Sequence, residues 1–328
     1  MTIDVHGHVT SPELFKRFPM PPSLADIDGM IEQKLAVGID MTIVGSPVGA
    51  GTMVPVPGLD NYAQPADQLD AFHEWVAETV RSHRDNLRGY VYVNPFAEDG
   101  SLAGAAKLLG REEFVGLIVN TSVRGEYLGS PRAEEFFAMA EETGSPVLLH
   151  PPAEPVGAAA MNGHLGLVEH VARPCDITCG VASILFAGWL DKFPRLKLIA
   201  ANAGGALSLL REKLDLAQQR ARGGPPPGAG GPPRGGPPAG GPPAEAVAPM
   251  SGQLSRIYVD TATPSRLALS AAATVFGPER LLFGTDSPPL TAPLHTGLDL
   301  VEELAVSAEQ RELIRSGTAR ELFGLETS

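Results

Sequence analysis

The chemistry this sequence offers sits at the ends of apolar runs. His6 and His8 stand two apart in DVHGHV (4–9). In extended chain, residues two apart point the same way, so both imidazoles face one side. An isolated His-x-His is a weak motif, since two histidines on a strand are usually only polar residues. His150 closes the run PVLLH (146–150), where by itself it reads equally well as a rim residue. Asp286 follows LLFGT (281–285). A carboxylate after a buried strand needs a partner, and its ordinary uses are a helix cap or a turn. Taken together, three imidazoles and one carboxylate form a ligand set for a divalent transition metal with a position open to water or substrate. Zinc, manganese and iron all suit such a set.

These side chains must be brought to one place, and the apolar runs show how. Short runs that do not alternate with polar residues lie at 2–5, 41–45, 87–93, 114–119, 146–150, 196–202, 256–260 and 281–286. Strands of this kind are parallel and buried on both faces. Helices are expected at 23–37, 67–85, 101–109, 131–143, 180–192, 206–221 and 265–276, with two more at the C-terminus. Eight strand–helix units in one series predict a single (β/α)8 TIM barrel over 1–328, whose chemistry lies at the C-terminal ends of the strands. The histidines and Asp286 then come from strands one, five and eight. An open doubly wound sheet is the alternative, but no Gly-x-Gly-x-x-Gly turn follows an early strand.

The 37 Gly and 31 Pro make up about a fifth of the 328 residues, a share that hints at disorder. Much of it is local, because 223–243 holds 9 Pro and 9 Gly in 21 residues. That run can form neither helix nor strand, so 223–247 reads as a flexible insertion after the sixth unit. The net charge of −13 and the lack of any Lys/Arg run argue against nucleic acid as a partner. No apolar run is long enough for a membrane span. No basic region followed by an apolar stretch opens the chain, so no secretory signal is read. Cys175 and Cys179 are too few for a disulfide framework, and a cytoplasmic location is expected.

The sequence resembles the amidohydrolase-related (type 2) family, which includes aminocarboxymuconate-semialdehyde decarboxylase-like enzymes. The resemblance is carried by DVHGHV (4–9), HEWVAETVRSHRDNLRGYVYVNP (73–95), FAMAEETGSPVLLHPP (137–152), GWLDKFPRLKLIAANAGGAL (188–207), LLFGTDSPP (281–289) and ARELFGL (319–325). It implies that His6, His8, His150 and Asp286 bind a metal, and relatives of this type often pair as homodimers, which leaves the oligomeric state of this chain open. In one place the sequence departs from the family. A histidine followed by glycines is usual after strand six, and here Asn202 stands in its place. An amide cannot shuttle a proton near neutral pH, although its oxygen can bind a metal or a substrate.

Three functional readings follow. The first is a metal-dependent hydrolase or carboxy-lyase acting on a small organic acid or acyl compound, with Asp286 as base. The second is a non-haem iron monooxygenase on the same barrel, with two irons, a CoA-linked thioester substrate and Asn202 as an iron ligand. The third is a barrel that binds without turnover. Arg124, Asn120, His164 and Met53 are candidates for substrate contact. Met53 belongs to an apolar loop, 46–66, that would cover the mouth. His170 and His295 lie near the same mouth. Asp260, ending strand seven, reads either as a substrate contact or as a buried partner of backbone amides. His73 and His83 are expected on the solvent side of their helix.

Overall fold

The computed structural model describes residues 1–98, 100–161, 163–223, 248–290 and 293–325. Every predicted run becomes a strand of one parallel sheet: β1 (Ile3–His8), β2 (Met41–Gly45), β3 (Leu87–Tyr92), β4 (Phe114–Asn120), β5 (Val147–His150), β6 (Leu198–Ala200), β7 (Tyr258–Asp260) and β8 (Leu281–Leu282). They lie side by side in chain order. The ends of the series meet where Val5 N donates to Phe283 O at 2.9 Å, which makes the sheet a (β/α)8 barrel. The near-continuous burial of the strand residues accounts for the unbroken apolar runs.

The interior is packed solid below the mouth. Tyr90 is fully buried and donates from its hydroxyl to Val5 O at 2.8 Å. Glycine on the neighbouring strands makes room for that ring, because a Cβ at Gly45 would lie 2.9 Å from Tyr90 Cβ. In β1 the ladder is irregular: Asp4 pairs with Thr42 but Gly7 pairs with Val44, so three steps face two. A bulge of this kind re-aims side chains, and it falls on the segment that carries His6. Gly7 is required there, since a Cβ would approach Thr42 Cγ2 to 2.5 Å.

The helices follow the expected series with instructive differences. The helix expected at 180–192 begins earlier, as Arg173–Phe186, with a break before Trp189–Lys192. Pro174 sits in its first turn, where the missing N–H does no harm. The segment before it, expected to be loop, is helical in pieces: Ala158–Met161, Leu165–Leu167 and Val168–Ala172. A short hairpin, Ser122–Val123 with Glu126–Tyr127, follows β4. Gly223 closes the helix Arg211–Gly223, and the rest of the proposed insertion, 224–247, lies outside the described residues. Among the described residues no helix is long and apolar enough to cross a membrane.

His73 corrects an expectation. It is buried on the helix Ala66–Ser82 beside Phe72, and its Nε2 accepts from Tyr92 N at 3.1 Å. His83 is half-buried at the end of the same helix and meets Asp28 at 3.0 Å. Burial pushes the His73 imidazole down from 6.5 to about 4. The unfolded chain therefore takes up this proton first as pH falls. The stability that neutral His73 contributes is complete above about pH 6.5 and is lost towards pH 4, a change of about 3 kcal/mol. Urea unfolding from pH 7 to pH 4 should show the wild type losing its advantage over His73→Gln. Parallel curves for the two proteins would contradict this.

Candidate metal centre

The C-terminal ends of β1 and β5 and the loop after β8 bring His6, His8, His150 and Asp286 together. One ligand atom from each lies within 4.8 Å of all the others. His6 Nε2 stands 3.1 Å from His8 Nε2, and Asp286 Oδ1 lies 3.0 Å from His8 Nε2 and 3.5 Å from His6 Nε2. The three rings stand edge to face, with centroids 4.9 to 5.2 Å apart. Ligand atoms about 2.1 Å from a common ion, at angles between 90° and tetrahedral, are separated by about 3.0 to 3.4 Å. The three spacings among His6, His8 and Asp286 lie close to that range, and His150 completes the set within 4.8 Å.

The other nitrogen of each ring shows why Nε2 faces inward. His6 Nδ1 lies 2.6 Å from Asp260 Oδ2, His150 Nδ1 lies 2.7 Å from Pro151 O, and His8 Nδ1 lies 3.3 Å from Gly45 O. Each Nδ1–H is thus given to an oxygen, which leaves a lone pair on each Nε2 directed at the same point. Such convergent lone pairs beside a carboxylate repel one another unless a cation lies among them. The donor set therefore fits a divalent metal.

In the protein alone the titrations respond to the same arrangement. Burial favours neutral imidazole, and it holds His8 and His150 below their ordinary value. At His6 burial is outweighed by the carboxylates of Asp286 and Asp260, and the ring is pushed up to about 9. Asp286, although buried, is held well below the usual carboxylate range by the three histidines.

A second tier of side chains holds these ligands. Asp260 is fully buried, and its Oδ1 accepts from Ala262 N at 3.0 Å and Ala203 N at 3.3 Å while Oδ2 serves His6. Asp4 accepts from His6 N, from Thr285 N and Thr285 Oγ1, and from Lys34 Nζ at 2.6 Å. It thereby ties β1 to the turn that carries Asp286. Asp286 itself adopts a positive φ of 54°. Asn202, Ala203, Gly204 and Gly205 form a left-handed turn with φ of 51°, 54°, 73° and 62°. Non-glycine residues seldom take this conformation, and their clustering here marks a site where backbone strain is tolerated. The turn brings Asn202 Nδ2 to 3.5 Å from Asp286 Oδ2 and 3.0 Å from Ala262 O. The amide meets the cluster as a donor to its carboxylate.

The remaining candidates are not members of this cluster, although Asn120 lies opposite His150 in the β4–β5 register. Asn120 is buried, with Oδ1 accepting from the Tyr62 hydroxyl at 3.1 Å and Nδ2 facing Pro151 O. Arg124 is exposed and paired with Asp60 at 2.6 Å. His164, His170 and His295 are exposed, and Met53 is half-buried in a loop closed on itself by the side chains of Asn61 and Gln64. Among the described residues there is one cluster of this kind, so the two-iron expectation finds no second ligand set. Lys34, Thr285 and the His6 partnership of Asp260 were not foreseen. A carboxylate ending a strand was the one available signal, and it does not say which partner it serves.

The family model for the amidohydrolases matches residues 3–325. The chain belongs to the amidohydrolase family. A similar curated protein is the 2-amino-3-carboxymuconate-6-semialdehyde decarboxylase of Dictyostelium discoideum, 23% identical over 278 residues that cover 83% of this chain and 71% of that one. Among solved structures, 2,6-dihydroxybenzoate decarboxylase in complex with 2,6-dihydroxybenzoate superposes with a TM-score of 0.79 at 19% identity, covering 99% of each chain. A dihydroxybenzoic acid decarboxylase from a Polaromonas species, with bound manganese and the inhibitor 2-nitroresorcinol, gives a TM-score of 0.74 at 20% identity, covering 100% of this chain and 98% of that one.

The Asp260–His6 contact yields a direct prediction for this amidohydrolase. Asp260→Asn replaces a charged acceptor by a neutral one and should weaken manganese binding about 10- to 100-fold, measured by titration against a competing chelator. Unchanged affinity would show that the contact plays no part in holding the metal ligand.

Proposed function

We propose that this amidohydrolase is a metal-dependent carboxy-lyase acting on a small organic acid. The observation that carries the proposal is the convergence of three Nδ1-anchored imidazoles and Asp286 on one point at the barrel mouth. Similarity to decarboxylases of aromatic and unsaturated acids supports the direction of the chemistry. His6, His8, His150 and Asp286 would hold a divalent ion, which would supply a Lewis acid for a substrate carboxylate or carbonyl. Manganese in the Polaromonas relative makes it the first ion to test.

The protein's own groups supply positioning and proton transfer. Loss of carbon dioxide breaks one C–C bond and leaves an electron pair on carbon, which must take up one proton. Asp286, ionised at rest, is assigned the relay: it takes a proton from water and passes it to that carbon, and the hydroxide left behind combines with the carbon dioxide as bicarbonate. Its Oδ1 faces the histidines, whereas Oδ2 is turned towards Asn202 and is the oxygen free to exchange a proton with substrate or water. Asn202 holds this carboxylate by donation and offers no titratable proton itself. Asp260 and Asp4 keep His6 and the Asp286 turn in place.

Hydrolysis of a small acyl compound is the second reading. It is favoured by the depressed Asp286 carboxyl, which stays ionised and ready to take a proton from water.

Incubation of the manganese-loaded protein with dihydroxybenzoates and unsaturated carboxylic acids should release carbon dioxide. Asp286→Asn should lower that rate about 100- to 10,000-fold. Asn202→His, which introduces a proton-transfer group at a position that accepts positive φ, should raise kcat. Ester cleavage without carbon dioxide would favour the hydrolytic reading. Substrate-dependent oxygen uptake would contradict both.

A further inference from the structure

The chain leaves β5 through the ligand itself, as His150-Pro151-Pro152. Proline has no N–H, so neither residue after the ligand can tie its backbone to a neighbour as a donor. The Pro151 carbonyl, which takes the His150 Nδ1–H at 2.7 Å, must therefore be steadied from outside. Asn120 is placed to do so. It ends β4 opposite His150 in the ladder, is 1% exposed, and turns its Nδ2 towards Pro151 O at 3.5 Å. The other end of the amide is fixed as well, because the Tyr62 hydroxyl donates to Asn120 Oδ1 at 3.1 Å. That bond decides which way the amide faces. An amide turned over would set Oδ1 against the Pro151 carbonyl, two acceptors with no proton between them.

Tyr62 belongs to the loop 46–66, which begins at the residue after Gly45. The Gly45 carbonyl orients another ligand, with His8 Nδ1 at 3.3 Å. One loop thus adjoins the orienting oxygen of His8 and, through Asn120, reaches that of His150. The loop is stiff enough to pass on such a constraint, because its own side chains staple it. Asn61 accepts from Thr52 N at 3.2 Å, and Gln64 donates to Val48 O at 2.6 Å and accepts from Ala50 N at 2.8 Å. We propose that Asn120 and Tyr62 are positioning residues for His150, and that they couple the loop 46–66 to occupancy of the metal site. The proposal rests on the four-ligand site and not on which reaction the ion supports. Coupling of this kind is reciprocal: a loop that favours the bound ion is itself held more firmly when the ion is present.

Manganese titration of the full-length protein against a competing chelator tests the assignment. Asn120→Ala should weaken binding about 10- to 100-fold, and Tyr62→Phe, which removes a single oxygen, about 3- to 10-fold. The double variant should bind no more weakly than Asn120→Ala, because Tyr62 acts through Asn120. With cobalt in place of manganese, the visible absorption bands should shift in both single variants, since the His150 ring is turned. Hydrogen exchange in residues 46–66 should slow when manganese is added to the wild type, with that slowing lost next to position 62 in Tyr62→Phe. Wild-type affinity and bands in Tyr62→Phe, additive losses in the double variant, or exchange indifferent to the metal would each overturn the proposal. A wild type that binds no manganese would overturn the metal site itself, and this inference with it.

Discussion

The buried contact between His6 Nδ1 and Asp260 Oδ2, 2.6 Å long, joins the first strand of the barrel to the seventh across its interior. It fixes which nitrogen of His6 faces the mouth, and so where one of the converging lone pairs points. The neighbouring arrangements serve the same end. Asp260 is held in turn by the amides of Ala203 and Ala262, which belong to the turns after β6 and β7. The carbonyls of Gly45 and Pro151 orient the other two rings. The barrel supplies a circle of strand ends, and these hydrogen bonds turn that circle into a cation site.

This geometry concentrates charge where water is scarce. Asp4, Asp260 and Lys34 are almost wholly buried, and only Lys34 brings a permanent positive charge to balance them. Removing one member of a buried pair of this kind destabilises by about 3–5 kcal/mol, because the other is left uncompensated. The backbone adds its own strain at Asn202, Ala203 and Asp286. Both burdens fall on the mouth, while the lower barrel is packed with Tyr90 and buried apolar side chains. Stability and chemistry are therefore divided along the barrel axis, as the fold generally allows.

Much of this was legible in the sequence, and the reasons differ by residue. The strands announced themselves because burial on both faces leaves no room for alternation. His150 and Asp286 stood out because each polar residue ends an apolar run, and the C-terminal ends of barrel strands share one face. Asp260 showed the same signal, yet a carboxylate at a strand end looks alike whether it serves a metal, a substrate or an imidazole. Lys34 gave none, since its partner lies 30 residues away and only the packing of the helix Ile27–Ala36 on β1 unites them. His73 was misread because a histidine on an amphipathic helix is usually wet, and here the backbone amide of Tyr92 supplies a buried partner. The helix Arg173–Phe186 starts before the expected 180, and Gly180 lies in its interior. Glycine is there because a Cβ would lie 2.6 Å from Thr121 Cβ.

The central claim is that His6, His8, His150 and Asp286 hold one divalent ion. Elemental analysis of protein purified without added metal, then dialysed against manganese and washed, tests it most directly. The geometry requires one ion per chain in the wild type and its loss in His150→Ala, with the fold retained by circular dichroism. A metal-free wild type, or full metal content in a folded His150→Ala variant, would contradict the account.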